Sequence, residues 1–306
     1  MKRFAALIVI IALGLTALVV TQMRRVETPV SPASIFRWLA GAQREVTRVP
    51  AMATRMSDEE EIRIGDQLAS EYGMGFLRGD NNENREIQDY VSLVGMRVAG
   101  RAHRKLPYKF HYVPNRNFIN AFALPGGHVF IGEGLIKLMD TEDELAAVLG
   151  HEVEHIDHYH CAERARTEAT LRKIPLGGLV AIPVVVFEAG YTKDQELEAD
   201  RDGTRLAVMA GYSPLGALRM FENFARLERE QNKPSRSPGQ EMSKVALDSL
   251  KDYFRSHPPA QERINQVREM ITENGWGNLT SERPLKVAGL LRRALEKPVS
   301  RQQPAR

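Results

Sequence analysis

His151-Glu152-Val153-Glu154-His155 sets two imidazoles and a carboxylate at H-E-x-x-H spacing. On a helix, positions i and i+4 lie one above the other, so both rings leave the same face. Two neutral imidazoles so placed can hold one Zn2+, and the intervening glutamate can polarise a water beside it. A catalytic zinc needs three protein ligands and one open position. The third donor must therefore come from elsewhere, and Glu196-Leu197-Glu198-Ala199-Asp200 is the evident source. It begins forty-one residues beyond His155, room enough for a connection and an antiparallel return helix. Glu196 and Asp200 share one helix face, so Glu196 is placed to bind the metal. Asp200 is placed to orient a ligand histidine by accepting from its other ring nitrogen. The expectation is one zinc ion per chain.

Those side chains need elements to carry them. Thr141-Glu142-Asp143-Glu144 is a capping box, and it opens the helix bearing the motif, with Leu145, Val148, Leu149, Val153 and Ile156 on its core-facing side. Helical patterning over 195–209 supplies the return helix, and Ser213-Pro214 opens another. Upstream, Ser57-Asp58-Glu59-Glu60 caps a helix running through Ile62, Ile64, Leu68 and Tyr72, and a second helix is expected over 86–102. Residues 108–113 alternate like a half-buried strand, while Pro125-Gly126-Gly127 divides 120–132 into two extended pieces. The uncharged but Pro- and Gly-containing stretch 174–187 reads as a buried or irregular segment over the motif helix. The predicted fold class is α+β, mainly α-helical, with a small sheet. Outside the motif, His103, His111, His158 and His160 read as structural or surface residues. Cys161 beside His160 cannot set up a metal site by itself.

The formal net charge of +3, from 42 Lys and Arg against 39 Asp and Glu, is too small for a dedicated nucleic-acid binder. Cys161 is the single cysteine of the 306 residues, so no intrachain disulfide can form. Lys2 and Arg3 precede an uncharged apolar run over 4–20, which Arg24 and Arg25 close. As a helix that run reaches roughly 26 Å, and Thr21-Gln22-Met23 can extend it to bilayer thickness. No small-x-small cleavage site follows. Residues 1–25 therefore read as a signal-anchor of a single-pass inner-membrane protein whose body lies in the periplasm. The alternative is a cleaved signal and a soluble periplasmic protein. Residues 26–56 read as a linker, 57–280 as the domain holding the metal motif, and 281–306 as a basic flexible tail. Oligomeric state is not set by the sequence.

Four blocks occur in order: Asn120-Ala121-Phe122-Ala123-Leu124-Pro125-Gly126-Gly127-His128, Leu149-Gly150 followed by the H-E-x-x-H residues, Glu196 to Asp200, and Ser256-His257-Pro258-Pro259-Ala260-Gln261-Glu262-Arg263-Ile264. Together they resemble the HtpX-like and CAAX-prenyl-protease-like zinc metallopeptidases, which include Oma1-like and BepA-like members. The resemblance spans roughly residues 57–268. It implies a zincin-type domain over 57–280, with His151, His155 and Glu196 as zinc ligands. It further implies Glu152 as general base and Asp200 as the partner of a ligand histidine. His128-Val129-Phe130-Ile131 is then the edge strand to which a polypeptide substrate adds as an extra strand. His257 and Arg263 match a late His-Pro element, implying that one or both stabilise the developing oxyanion, or that His257 blocks the open metal position. The expected function is a membrane-anchored zinc metalloendopeptidase hydrolysing internal peptide bonds of misfolded or unassembled envelope or membrane proteins. A zinc-bearing periplasmic chaperone or assembly factor with little proteolysis is the alternative.

Overall fold

The computed structural model describes residues 56–73, 82–171, 187, 190–231 and 260–291. The expected anchor, nearly all of the linker, His257 and most of 174–187 lie outside these residues. In chain order the elements are α1 (Asp58–Gly73), α2 (Asn82–Ala99), β1 (Lys109–Val113), β2 (Ala121–Leu124), β3 (His128–Gly132), the single turn α3 (Glu133–Ile136), α4 (Glu142–Asp157), α5 (His160–Leu171), α6 (Lys193–Met209), α7 (Leu215–Gln231) and α8 (Ala260–Glu273). The mainly helical α+β class is as expected. No helix among the described residues is long and apolar enough to cross a membrane.

Helix α4 is buried along its whole length, although it carries six acidic residues. Buried carboxylates must be partnered, and here much of the fold is arranged to do so. Thr141 and Glu144 close the capping box as the sequence predicts. Glu142 accepts from Tyr90 Oη of α2 at 2.8 Å. Asp143 accepts from the backbone N–H groups of Ser213 (2.7 Å) and Arg283 (2.6 Å). Asp157 accepts from those of His103 (2.9 Å) and Arg104 (2.6 Å). That last capture explains why α2 stops at Ala99 rather than 102: the backbone beyond it turns to present its N–H groups to Asp157. Around α4 pack α2, α6, α7 and β2, each with an apolar stripe, and one cluster from Ile87 to Leu291 forms the main core.

Two expectations are corrected. Residues 281–291 are no free tail. Leu285, Val287 and Leu291 are buried in the main core, Pro284 bridges Thr141, and Leu285 N–H donates to Asp140 O at 3.2 Å. The domain therefore runs past 280, because Asp143 and the start of α4 need these residues to complete their hydrogen bonds. The second correction concerns the sheet. Its order is β1-β3-β2, with β3 parallel to β1 and antiparallel to β2. His128, Val129, Phe130 and Ile131 thus belong to the central strand, whose backbone groups are taken on both sides. Among the described residues the edges are β1 and β2.

The β2–β3 turn is fixed by its glycines. Gly126 and Gly127 have φ of 78° and 114°, a region costly for residues with a Cβ. A Cβ on Gly126 would also lie 2.5 Å from Glu61 O of α1. The turn therefore interlocks with α1 rather than hanging free.

Candidate metal centre

Glycine also governs how closely α4 and α6 approach. A Cβ on Gly150 would lie 2.6 Å from Gly203 O, and one on Gly203 would lie 2.6 Å from His151 N. Backbone meets backbone at this crossing. Gly203 follows Glu196 by two helical turns, so the same face that comes closest also brings Glu196 and Asp200 to the motif. Thr192 and Gln195 cap α6 reciprocally, which sets where the helix begins and hence the height of Glu196.

The three expected metal donors converge. His151 Nε2 and His155 Nε2 are 3.1 Å apart. Glu196 Oε2 is 3.4 Å from His151 Nε2, and its Oε1 is 3.8 Å from His155 Nε2. A tetrahedral zinc at about 2.0–2.1 Å from each donor spaces them about 3.3–3.4 Å apart. The donors thus fit zinc in type and in spacing, and all three residues are buried. Glu196 Oε1 accepts from the Tyr191 backbone N–H at 2.8 Å, which fixes the carboxylate with Oε2 towards His151.

Asp200 lies where expected, its Oδ1 2.8 Å from His151 Nδ1. Arg263 is placed differently from expectation. Its Nε and Nη2 donate to the two oxygens of Asp200 at 2.6 and 2.5 Å, and its guanidinium carbon stacks 4.1 Å over the Phe221 ring. The forked guanidinium matches the carboxylate bidentately, so the geometry makes it a clamp on Asp200 in place of the expected oxyanion group. Burial alone would raise Asp200, but Arg263 and His151 hold its carboxyl well below the usual range. Burial pushes the Glu152 carboxyl up to about 7, against the lowering pull of His151. A group near neutrality can both take and return a proton.

Two histidines outside the motif, expected as structural or surface residues, make specific contacts beside it. His160 is buried, its Nδ1 2.9 Å from His155 Nδ1. His158 is half-buried, with Nε2 3.0 Å from Glu154 and 3.1 Å from Asp202. Glu154, His158 and Asp202 also converge as donors do, but Arg201 and Arg205 already occupy the oxygens of Asp202. That group reads as an ion-pair network joining α4 to α6. Tyr191, which no sequence signal marked, stacks on the His155 ring with centroids 4.0 Å apart.

Paired helices delivering His, His and Glu, with a glutamate beside the first histidine, define a zincin-type metallopeptidase centre. Residues 81–271 match the profile of Peptidase family M48, and the chain belongs to that family. The domain is accordingly a zinc-dependent metallopeptidase. The chain is 30% identical over 226 residues to the putative beta-barrel assembly-enhancing protease of Vibrio cholerae serotype O1, covering 65% of this chain and 43% of that protein. It is 30% identical over 195 residues to the mitochondrial metalloendopeptidase OMA1 of Schizosaccharomyces pombe, covering 60% and 53%. Against metalloprotease LoiP of Escherichia coli (strain K12) it is 26% identical over 239 residues, covering 73% and 85%. The chain spans about half the length of the first two.

Proposed function

We propose that this protein is a membrane-anchored endopeptidase that hydrolyses internal bonds of unassembled or misfolded envelope polypeptides. The observation that carries the hydrolytic reading is the convergence of His151, His155 and Glu196 beside a buried Glu152. The envelope substrate class is supported by the names of the assembly-enhancing relatives, and the anchor by the apolar run over 4–20.

In this reading His151, His155 and Glu196 hold the metal, and Asp200, clamped by Arg263, keeps the Nδ1 proton of His151 so that Nε2 faces inward. Zinc, when bound, supplies Lewis-acid polarisation and a lowered pKa for the attacking water. Glu152 takes the proton from that water and delivers it to the leaving amine. His257 is kept as the candidate oxyanion or blocking group. The peptide pairs with β2 rather than β3. Gly132 N–H donates to Asn120 O at 3.0 Å, and the β2–β3 register then turns the backbone groups of Ala121 and Ala123 away from β3. They face the side where no further strand lies among the described residues and where Ala123 O accepts only a weak 3.6 Å bond from Cys161 Sγ. Main-chain pairing there grips a polypeptide with little demand on its sequence.

The test compares wild type, Glu152→Gln and His257→Ala for zinc content and for digestion of unfolded casein. Glu152→Gln is expected to keep zinc and lose turnover by about 100- to 10,000-fold. Retained casein hydrolysis by Glu152→Gln would overturn the assignment. If instead that variant loses hydrolysis but keeps the protein's effect in cells, the chaperone reading takes its place.

A further inference from the structure

His155 has a positioning apparatus of its own, unlike that of His151. In an unbroken helix His160 would point about 140° away from His155. The chain breaks between α4 and α5 at Tyr159, which adopts φ 61°. This left-handed conformation is uncommon for a bulky residue, and the Arg104 guanidinium, 3.8 Å over the Tyr159 ring, helps hold it. The break swings His160 back so that its Nδ1 meets His155 Nδ1 at 2.9 Å, while its Nε2 lies 3.3 Å from Glu198 Oε2 at the half-exposed rim.

We infer that His160 is a positioning residue for the metal: it fixes the tautomer and ring plane of His155, and Glu198 fixes His160 in turn. The inference rests on the reading that His151, His155 and Glu196 hold zinc. With His155 Nε2 committed to the metal, its Nδ1–H donates to His160 Nδ1. His160 must then carry its own proton on Nε2, where Glu198 accepts it. Only one arrangement of protons satisfies all three groups. Tyr191 stacks on the face of the His155 ring, at 21° between planes, limiting its tilt. The two ligand histidines are thus oriented by different means. His151 leans on a buried carboxylate neutralised by Arg263, whereas His155 leans on a neutral ring that passes the hydrogen bond out to a carboxylate water can reach. This places no second unneutralised charge in the dry interior, where it would be costly.

The test measures zinc affinity of the full chain by chelator competition, and the visible spectrum of the cobalt-substituted protein. His160→Asn and His160→Leu have similar volume, but only the amide can accept from His155 Nδ1–H. His160→Leu is expected to bind zinc about 10- to 100-fold more weakly, with an altered cobalt spectrum, and His160→Asn to recover most of the loss. Glu198→Leu, at the rim, probes the relay without touching the core and is expected to weaken zinc about threefold or more. Equal zinc affinity in the Leu and Asn variants would overturn the inference. If His160→Leu does not fold, an unchanged affinity in Glu198→Leu would overturn it. Absence of zinc binding by the wild-type chain would instead refute the metal reading itself.

Discussion

Replacing Gly203 by alanine separates the helix crossing from the ligands it positions. A Cβ there would lie 2.6 Å from His151 N, 2.7 Å from Gly150 C and 2.8 Å from His151 Cα. All three are backbone atoms, so no side chain can swing aside. Ordinary contact begins at 3.4 Å, and α6 must therefore retreat from α4 by about 0.8 Å. Glu196 rides on α6, with Oε2 3.4 Å from His151 Nε2. A retreat to about 4.2 Å takes it beyond the donor spacing that a zinc bond length of about 2.0–2.1 Å permits. Overpacking of this kind costs about 1–3 kcal/mol of stability, and a misplacement near 1 Å can cost about 100-fold in rate. Gly203→Ala is expected to fold with a modestly lowered Tm, to bind zinc at least about tenfold more weakly, and to lose casein turnover by about 100-fold. Chelator competition, thermal denaturation and the digestion assay measure the three effects. A Gly203→Ala protein with zinc affinity and turnover both within threefold of wild type would refute the claim that this crossing sets the metal geometry.

Two further outcomes follow from buried charge. Arg263→Met leaves Asp200 ionised and buried with its clamp gone, a loss of about 3–5 kcal/mol, or a Tm drop of roughly 6–20 °C in a domain of this size. Thermal denaturation of the chelated protein checks this without reference to activity, and a drop under about 3 °C would refute it. The second concerns pH and lies away from the metal. His128 Nε2 donates to Asp66 at 2.9 Å, and His111 Nε2–H donates to His128 Nδ1 at 2.9 Å, with Lys109 also bonded to Asp66. Burial lowers His111 to about 4, aided by the charge of His128 and Lys109, and burial lowers His128 as well. A depressed histidine contributes stability above its unfolded value near 6.5 that is lost as pH falls towards the folded value. The contribution of this cluster should decline by about 1–2 kcal/mol between pH 7 and 5. An opposite trend comes from His158, which Asp202 and Glu154 raise to about 10, so His111→Phe should change the pH slope of stability by about that amount in denaturant titrations. An unchanged slope would count against the cluster.

Much of the metal centre was legible because helical spacing is a strict geometric rule. His151 with His155, and Glu196 with Asp200, each announce a shared face, and Thr141 with Glu144 announces where the motif helix begins. What stayed hidden depends on departures from regularity or on neighbours distant in sequence. His160 stands at the wrong helical angle and reaches His155 only through the break at Tyr159. Tyr191 precedes α6 and offers no periodic signal. Gly150 and Gly203 read as ordinary helix glycines until their backbones are seen to touch. The place of 128–131 in the centre of the sheet is hidden for a related reason: a hairpin fixes that β2 pairs with β3, but not which of them takes β1 as its second neighbour. Leu285, Val287 and Leu291 sit in a stretch too short and basic to show a period, yet they finish the core around α4.

The correction to the sheet also shifts the demands on the catalytic geometry. Metal position is set by α4 and α6, whereas substrate height in the proposed reading is set by β2, and the two must stay in register to within a fraction of an ångström for attack. Three contacts hold that register. β2 packs on α4 directly. Cys161, next to His160, donates from Sγ to Ala123 O at 3.6 Å, a weak bond that ties the outward edge of β2 to the element orienting His155. The turn after β2 is locked to α1, where a Cβ on Gly65 would meet Pro125 O at 1.9 Å and one on Gly126 would meet Glu61 O at 2.5 Å. Helix α1 carries no ligand and no proton-transfer group. Its anchorage through Arg104, which reaches Glu61 Oε2 at 3.2 Å and Ile156 O at 2.8 Å, nevertheless joins the turn to the end of α4. Arg104 also stacks on Tyr159, the residue at the break that delivers His160. One buried guanidinium therefore braces both the substrate strand's turn and the apparatus behind His155, so changes at Arg104 should disturb zinc retention and peptide binding together rather than separately.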